Sequence, residues 1–193
     1  MNKQELETLL VALDNELVKA FPHSGPIEAL VVGGACLLFK GVSERPTKDI
    51  DIIILDLLGQ GQASLIFKNK VTDKVRTIIR RVGRIYGLTG KEADFLNTDC
   101  MPFLLEMGDV PPTELLVAYQ KLRLYTPPLP YILACKLMAN RSKDEFDIEL
   151  LCNLLHVRSR AQAQGMVNRY FPSLTLQYDY ALPMALTRWF GAK

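Results

Sequence analysis

The sequence predicts one α/β domain that runs on into a helical C-terminal portion from about residue 130. Three observations carry this. Leucines recur at helical spacing near the start, two short apolar runs flank a Gly-Gly turn and a brief apolar segment, and the stretch beyond Pro127-Pro128 is mostly of helical period. The chain has 193 residues, 49% of them hydrophobic, enough for one substantial core.

In order along the chain, Leu6, Leu9, Leu10, Leu13, Leu17 and Phe21 fall at intervals of three and four, with Glu5, Asp14, Glu16 and Lys19 on the opposite face. That spacing predicts an amphipathic helix over about residues 3–20. Ile27 to Val32 reads as a buried strand, and Gly33-Gly34 opens a short helix through Lys40 that Gly41 stops. The polar connection Ser43-Glu44-Arg45-Pro46-Thr47-Lys48 leads into a second strand, Asp49 to Leu55, marked by its isoleucines. Leu57 to Ser64 reads as loop. Val75, Ile78, Ile79, Val82 and Ile85 predict a helix within Val71–Tyr86, and Thr113 to Tyr125 supplies one or two strands as a hairpin around Gln120-Lys121. Pro130 suits the first turn of a helix through Ala139, and Ser142 to Glu145 has the form of a capping box before Phe146, Ile148, Leu151 and Leu155, giving two helices or one bent one. Arg158 to Tyr170 reads as a more exposed helix, and the aromatic tail from Tyr178 to Phe190 as a segment that packs back on the body.

A net charge of +2 gives no sign of the strongly basic surface a non-specific nucleic-acid binder uses. No apolar run is long enough for a membrane span. Cys36, Cys100, Cys135 and Cys152 are widely spaced, with no metal-ligand pattern, and read as reduced core residues of a cytoplasmic protein.

Asp49 and Asp51 lie two apart on an extended segment, so both carboxylates point to one side. Adjacent carboxylates raise each other's proton affinity unless a cation lies between them, which suits a magnesium or manganese ion completed by nucleotide phosphates. The plainer reading is a solvated pair matched by Lys48 or Arg45. Gly33-Gly34 stands between the first strand and its helix, where bare backbone N–H groups can receive phosphate oxygens, and it is equally an ordinary turn signal. Arg45, Thr47 and Lys48 offer charge and a hydroxyl in the same region. A second constellation, Lys136, Asn140, Asp144 and Asp147, shares one face if the segment is a single helix. Lys136 interrupts an apolar run, so its ammonium must reach solvent or meet an anion, while a Lys136–Asp144 pair needs a bent chain. Arg141–Glu145 and Lys143–Asp147 have ordinary helical ion-pair spacing.

Val32-Gly33-Gly34 followed by Arg45-Pro46-Thr47-Lys48-Asp49-Ile50-Asp51 resembles the core motif of the nucleotidyltransferase superfamily. Lys136-Leu137-Met138-Ala139 with Arg141, Lys143-Asp144 and Asp147-Ile148 resembles the lysine-bearing helical region of its small bacterial branches, which include nucleotidyltransferase-like toxins. The resemblance implies a mixed sheet with flanking helices. It implies that Gly33 and Gly34, with Arg45, Thr47 and Lys136, bind the phosphates of a nucleoside triphosphate. It further implies that Asp49 and Asp51 bind Mg2+ or Mn2+, and that Lys136 faces the nucleotide across a cleft. Family members commonly add a third carboxylate on a later core strand, yet Leu115–Tyr125 contains none, so Asp144 is the preferred substitute as metal ligand or acceptor base. A serine is frequent where Gly34 stands.

The expected activity is metal-dependent transfer of a nucleoside monophosphate to a hydroxyl acceptor, by an approximately two-ion reaction. The acceptor is RNA, in particular a tRNA end, or a protein or small molecule. The competing expectation is a catalytically inactive nucleotide-binding module acting through a cognate protein partner, as in a toxin–antitoxin pair. A third is an interaction protein using Tyr178, Tyr180, Trp189 and Phe190 as its surface.

Overall fold

The structure, a computed structural model, describes residues 1–55, 65–67, 70–100 and 111–191. The stretch read as loop, Leu57 to Ser64, lies outside them. The chain forms two compact units, Met1–Met101 with Glu114–Thr126, and Pro102–Thr113 with Pro127–Lys193. The expectation from sequence is one domain with a helical subregion from about 130; the last boundary, between Thr126 and Pro127, falls beside that point.

In the first unit, α1 (Lys3–Ala20) opens with the reciprocal bonds of a capping box: Glu5 N–H to Asn2 Oδ1 at 2.9 Å and Asn2 N–H to Glu5 Oε2 at 2.8 Å. Its leucines are buried and it packs against α2 (Gly33–Phe39) and α3 (Asp73–Ile85). The main sheet uses β1 (Ile27–Val31), β2 (Ile50–Leu55), β5 (Leu96–Asn97), β6 (Glu114–Ala118) and β7 (Leu122–Thr126). A separate two-stranded ribbon, β3 (Ile66–Phe67) and β4 (Lys70–Val71), precedes α3.

The five-stranded order is β5-β2-β1-β7-β6, with β1 antiparallel to β2 and parallel to β7, and β2 parallel to β5. This mixed sheet with flanking helices is the α/β class expected. Strand alternation puts Ile27, Ala29, Val31, Ile50, Ile52, Leu122 and Leu124 on one face, all fully buried. The other face carries Glu28, Leu30, Asp51, Ile53, Leu55, Asn97, Arg123 and Tyr125. Most polar side chains of the sheet thus share one side, while Thr126 and its cross-strand pair Glu114 lie on the other. Glu28, 1% exposed, meets Arg123 Nη1 at 3.7 Å and accepts from the Tyr125 hydroxyl at 3.4 Å.

One residue departs from the pattern read for α1. Asp14 does not decorate a solvent face; it is 6% exposed and accepts from the backbone N–H groups of Lys121 (2.6 Å) and Gln120 (3.2 Å), at the turn of the β6–β7 hairpin. A turn's unpaired N–H groups need an acceptor when buried, and a carboxylate makes the stronger bond. Lys121 is buried as well, its ammonium donating to the carbonyls of Ser24 and Pro22.

The second unit is helical: α4 (Leu129–Ala139), α5 (Glu145–Leu154), α6 (Arg160–Tyr170), α7 (Leu174–Asp179) and α8 (Leu182–Phe190). α4 is its central helix, buried over most of its circumference and packed on α5, α6 and α8. Tyr131 stacks edge-on to Tyr170 at 5.4 Å and lies against Phe171 at 5.7 Å. The tail packs through Leu182, Ala185 and Leu186, while Tyr178 is 78% exposed. Asn140, in the left-handed conformation (φ 46°), ends α4, and a 3-10 turn over Ser142–Asp144 leads into α5. Of the two expectations, two helices or one bent one, the structure has two separate helices. The capping box read at Ser142–Glu145 does not form: α5 starts from Asp144, which makes no side-chain cap because its carboxylate is engaged elsewhere. Among the described residues no helix is long and apolar enough to cross a membrane.

Candidate active site

The first residues of β2 are clamped from both sides. Ile50 N–H donates to the Phe95 carbonyl (2.6 Å), and Val32 N–H donates to the Asp51 carbonyl (3.0 Å). The second bond extends the β1–β2 ladder just past β1, and so brings the glycine turn level with Asp51. Gly33 takes φ +66°, and a Cβ built on it would stand 3.3 Å from Asp51 Oδ2. Both facts disfavour a side chain there. The bare backbone at the start of α2 thus lies against the Asp51 carboxylate.

Gly34 is next to Thr47 instead: a Cβ on Gly34 would meet Thr47 Oγ1 at 3.3 Å. The space beside Gly34 is thus occupied by the Thr47 hydroxyl. That hydroxyl donates to the Asp49 carbonyl at 3.2 Å, tying the connection to the residue that begins the acidic pair. Asp49 and Asp51 are both half-buried, and Asp49 stands one residue ahead of the strand proper. Gly33, Gly34, Thr47, Asp49 and Asp51 are thereby collected around one turn. Arg45 is exposed in the same connection, its N–H held by Ser43 Oγ at 3.2 Å.

Lys136, Asp144 and Asp147 gather inside the second unit. The Lys136 ammonium donates to Asp144 Oδ1 at 2.6 Å and to Asp147 Oδ2 at 2.7 Å, and the Arg141 guanidinium holds Asp144 Oδ2 at 2.9 Å. Lys136 and both aspartates are at most 5% exposed. Lys136 and Asp144 meet because the left-handed Asn140 turns α4 back on itself, supplying the bend that this pair requires. Burial pushes the Asp144 carboxyl up, but Lys136, then Arg141, more than offset this and hold it below its ordinary value of 3.8. The expected Arg141–Glu145 pair is not formed, since Arg141 turns to Asp144 and Glu145 to Arg188.

A residue not singled out from the sequence stands next to Asp51. The strand beside β2 is β5, in parallel register with Asn97 opposite Asp51, whereas the stretch Leu115–Tyr125 forms the hairpin at the other edge. The place beside Asp51 is therefore filled by an amide. Asp94 and Asp99 flank β5, and Asp94 pairs with Arg80 at 2.8 Å. A two-residue strand has no period to read, so Asn97 left no signal except its place after Phe95-Leu96.

Among the described residues no three His, Cys, Asp or Glu side chains converge as a metal site. Two carboxylates with a glycine turn beside them fit a different donor set. Mg2+ is commonly held by one or two carboxylates together with substrate phosphates. Burial pushes the Cys152 thiol up to about 11, which favours the protonated form near neutral pH.

A mixed sheet carrying a Gly-Gly turn against an Asp-Ile-Asp strand is the arrangement that the resemblance to nucleotidyltransferases implies. Residues 8–79 match the model of a family described as "Nucleotidyltransferase of unknown function (DUF6036)". The matched segment includes Gly33, Gly34, Arg45, Thr47, Asp49 and Asp51; Asn97, Lys136 and Asp144 lie beyond it. No curated protein and no solved structure matches the chain.

Proposed function

We propose that the chain is a nucleotidyltransferase that takes a nucleoside triphosphate with Mg2+ or Mn2+ and transfers the nucleoside monophosphate to a hydroxyl of RNA, protein or a small molecule. The observation that carries this reading is the Gly33 backbone lying against Asp51 Oδ2, 3.3 Å from the Cβ it lacks. Phosphate oxygens can approach backbone N–H groups only where no side chain intervenes. Asp49 and Asp51 would hold the divalent ion, which when bound draws charge from the triphosphate and favours pyrophosphate departure. Gly33 and Gly34 receive phosphate oxygens, the Thr47 hydroxyl sets the position of the Asp49 backbone, and Arg45 adds positive charge from the connection. In the transfer, the acceptor oxygen bonds to the α-phosphorus, the bond from that phosphorus to the bridging oxygen breaks, and the acceptor proton passes to a base.

Lys136 is assigned to countering phosphate charge, and Asp144 to the metal or the acceptor proton. Either role requires the Lys136–Asp144 pair to open, because each now satisfies the other. A specific observation favours a second reading, a nucleotide-binding module without transfer. The place beside Asp51 holds an amide, and both oxygens of Asp144 are engaged.

The test is incubation of the purified chain with each labelled nucleoside triphosphate, Mg2+ or Mn2+, and pools of tRNA, other RNA and protein, followed by mass analysis. Label on an acceptor, lost in Asp49→Asn with Asp51→Asn, is the expected result. Magnesium-dependent triphosphate binding with no transfer to any pool selects the module. No triphosphate binding at all rejects both.

A further inference from the structure

The side-chain amide of Asn97 is oriented by a bond to its oxygen that leaves both N–H groups to serve as donors. Asn97 Oδ1 accepts from the Asp99 N–H at 3.0 Å, a two-residue turn that fixes which end is oxygen, since a backbone N–H cannot face an NH2 group. No other side-chain hydrogen bond of Asn97 is found among the described residues. The residue is 8% exposed, and parallel register puts it on the same sheet face as Asp51, directly opposite it. Asn97 Nδ2 is not among the sealed, unpartnered polar atoms, so its N–H groups open to solvent beside Asp51, where an entering acceptor can take them.

That orientation decides what Asn97 can bind. Metal ions take the oxygen of an amide, and one of the two lone pairs of that oxygen already accepts from the Asp99 N–H. The N–H groups that remain suit an anionic oxygen. Charge points the same way: Asp49 and Asp51 together offer two negative charges, enough to neutralise one divalent ion.

We propose that Asn97 is a nucleotide-binding residue that donates its Nδ2–H to a triphosphate oxygen beside Asp51, so that Asp49 and Asp51 hold one divalent ion in place of two. This rests on the triphosphate reading of the Gly33-Gly34 turn and deepens it. Asn97 acts as a second, charge-independent contact to the ligand that the glycine turn receives.

The experiment measures binding of ATP, GTP, CTP and UTP by titration calorimetry, in EDTA and in Mg2+, for wild type, Asn97→Asp and Asp51→Asn, and counts bound Mn2+ by electron paramagnetic resonance at saturating nucleotide. Asn97→Asp keeps an acceptor for the Asp99 N–H and nearly the same volume, so only the donor and the charge change. The expected results are one Mn2+ per bound triphosphate in wild type, and affinity in EDTA weakened about tenfold or more by Asn97→Asp through the lost donor and the added repulsion. Two Mn2+ in wild type, a count that needs no variant, overturns the proposal. So does Asn97→Asp binding within twofold of wild type in EDTA while Asp51→Asn abolishes the magnesium dependence, and the triphosphate reading then survives alone. Absence of triphosphate binding in wild type overturns both together.

Discussion

Aspartates in the two units of this chain meet opposite fates. Asp49 and Asp51 stay half-buried beside a glycine turn, whereas Asp144 and Asp147 are sealed against Lys136 and Arg141. The first arrangement keeps carboxylates where a ligand can reach them. The second uses the same chemistry to fasten two helices across the bend at Asn140. Residue type alone therefore does not separate a site from a clamp; burial and the identity of the partner do.

The sharpest way to break this contrast is Lys136→Met, which leaves Asp147 and one oxygen of Asp144 without their cation in a buried place. Loss of one member of a buried pair costs about 3–5 kcal/mol, so the midpoint of urea unfolding followed by circular dichroism should fall steeply. An unchanged midpoint would show that the cluster is not a clamp. Gly33→Ala comes next: the left-handed conformation and the contact with Asp51 Oδ2 together predict a loss of about 1–3 kcal/mol. Triphosphate affinity should fall with it, and calorimetry at a temperature where the variant is folded separates the two effects.

A pH titration of stability sharpens the comparison further. Asp144 has a folded pKa below its ordinary value, so its contribution is complete above about 3.8 and is lost as pH falls through the lower folded value. Wild type should lose stability below pH 4 more steeply than Asp144→Asn, measured by thermal melting from pH 5 downward. Parallel curves would remove the Lys136 and Arg141 pairing as the cause. The smallest structural effect is expected for Asp49→Asn with Asp51→Asn, within about 0.5 kcal/mol of wild type, although magnesium-dependent triphosphate binding should vanish. A large fall in melting temperature instead would assign the pair a structural role.

The elements with strong periodicity were legible from sequence: the leucine face of α1, the isoleucines of β2, and the hairpin whose turn falls at Gln120-Lys121. Motif spacing was enough to place Gly33, Gly34, Thr47 and Asp51 in one region, because a strand, a turn and a returning antiparallel strand are local in the chain. The pairing of β5 with β2 was not legible. It joins residues 96–97 to 50–51 through a strand too short to alternate, so the sequence points instead to the hairpin at the opposite edge of the sheet as the place for a third carboxylate. Asp14 was misread for a related reason: helical period reports which face is polar, but the acceptor it supplies serves a turn more than a hundred residues away. At Ser142–Glu145, spacing indicated a cap, yet the stronger attraction of Lys136 and Arg141 for Asp144 decided the local geometry.

The bond from Lys121 N–H to Asp14 sets an order of events during synthesis as well as a contact in the finished fold. The chain between them is 107 residues long, and β7, which fills the second edge of β1, is made only after it. At the translation rates of roughly 5–20 residues per second typical of cells, the first helix and strand wait on the order of 5–20 seconds on the ribosome with a buried-type carboxylate and an open strand edge both unmatched. The glycine turn and Asp51 are already synthesised in that interval, so they stand together before the sheet that steadies them is complete.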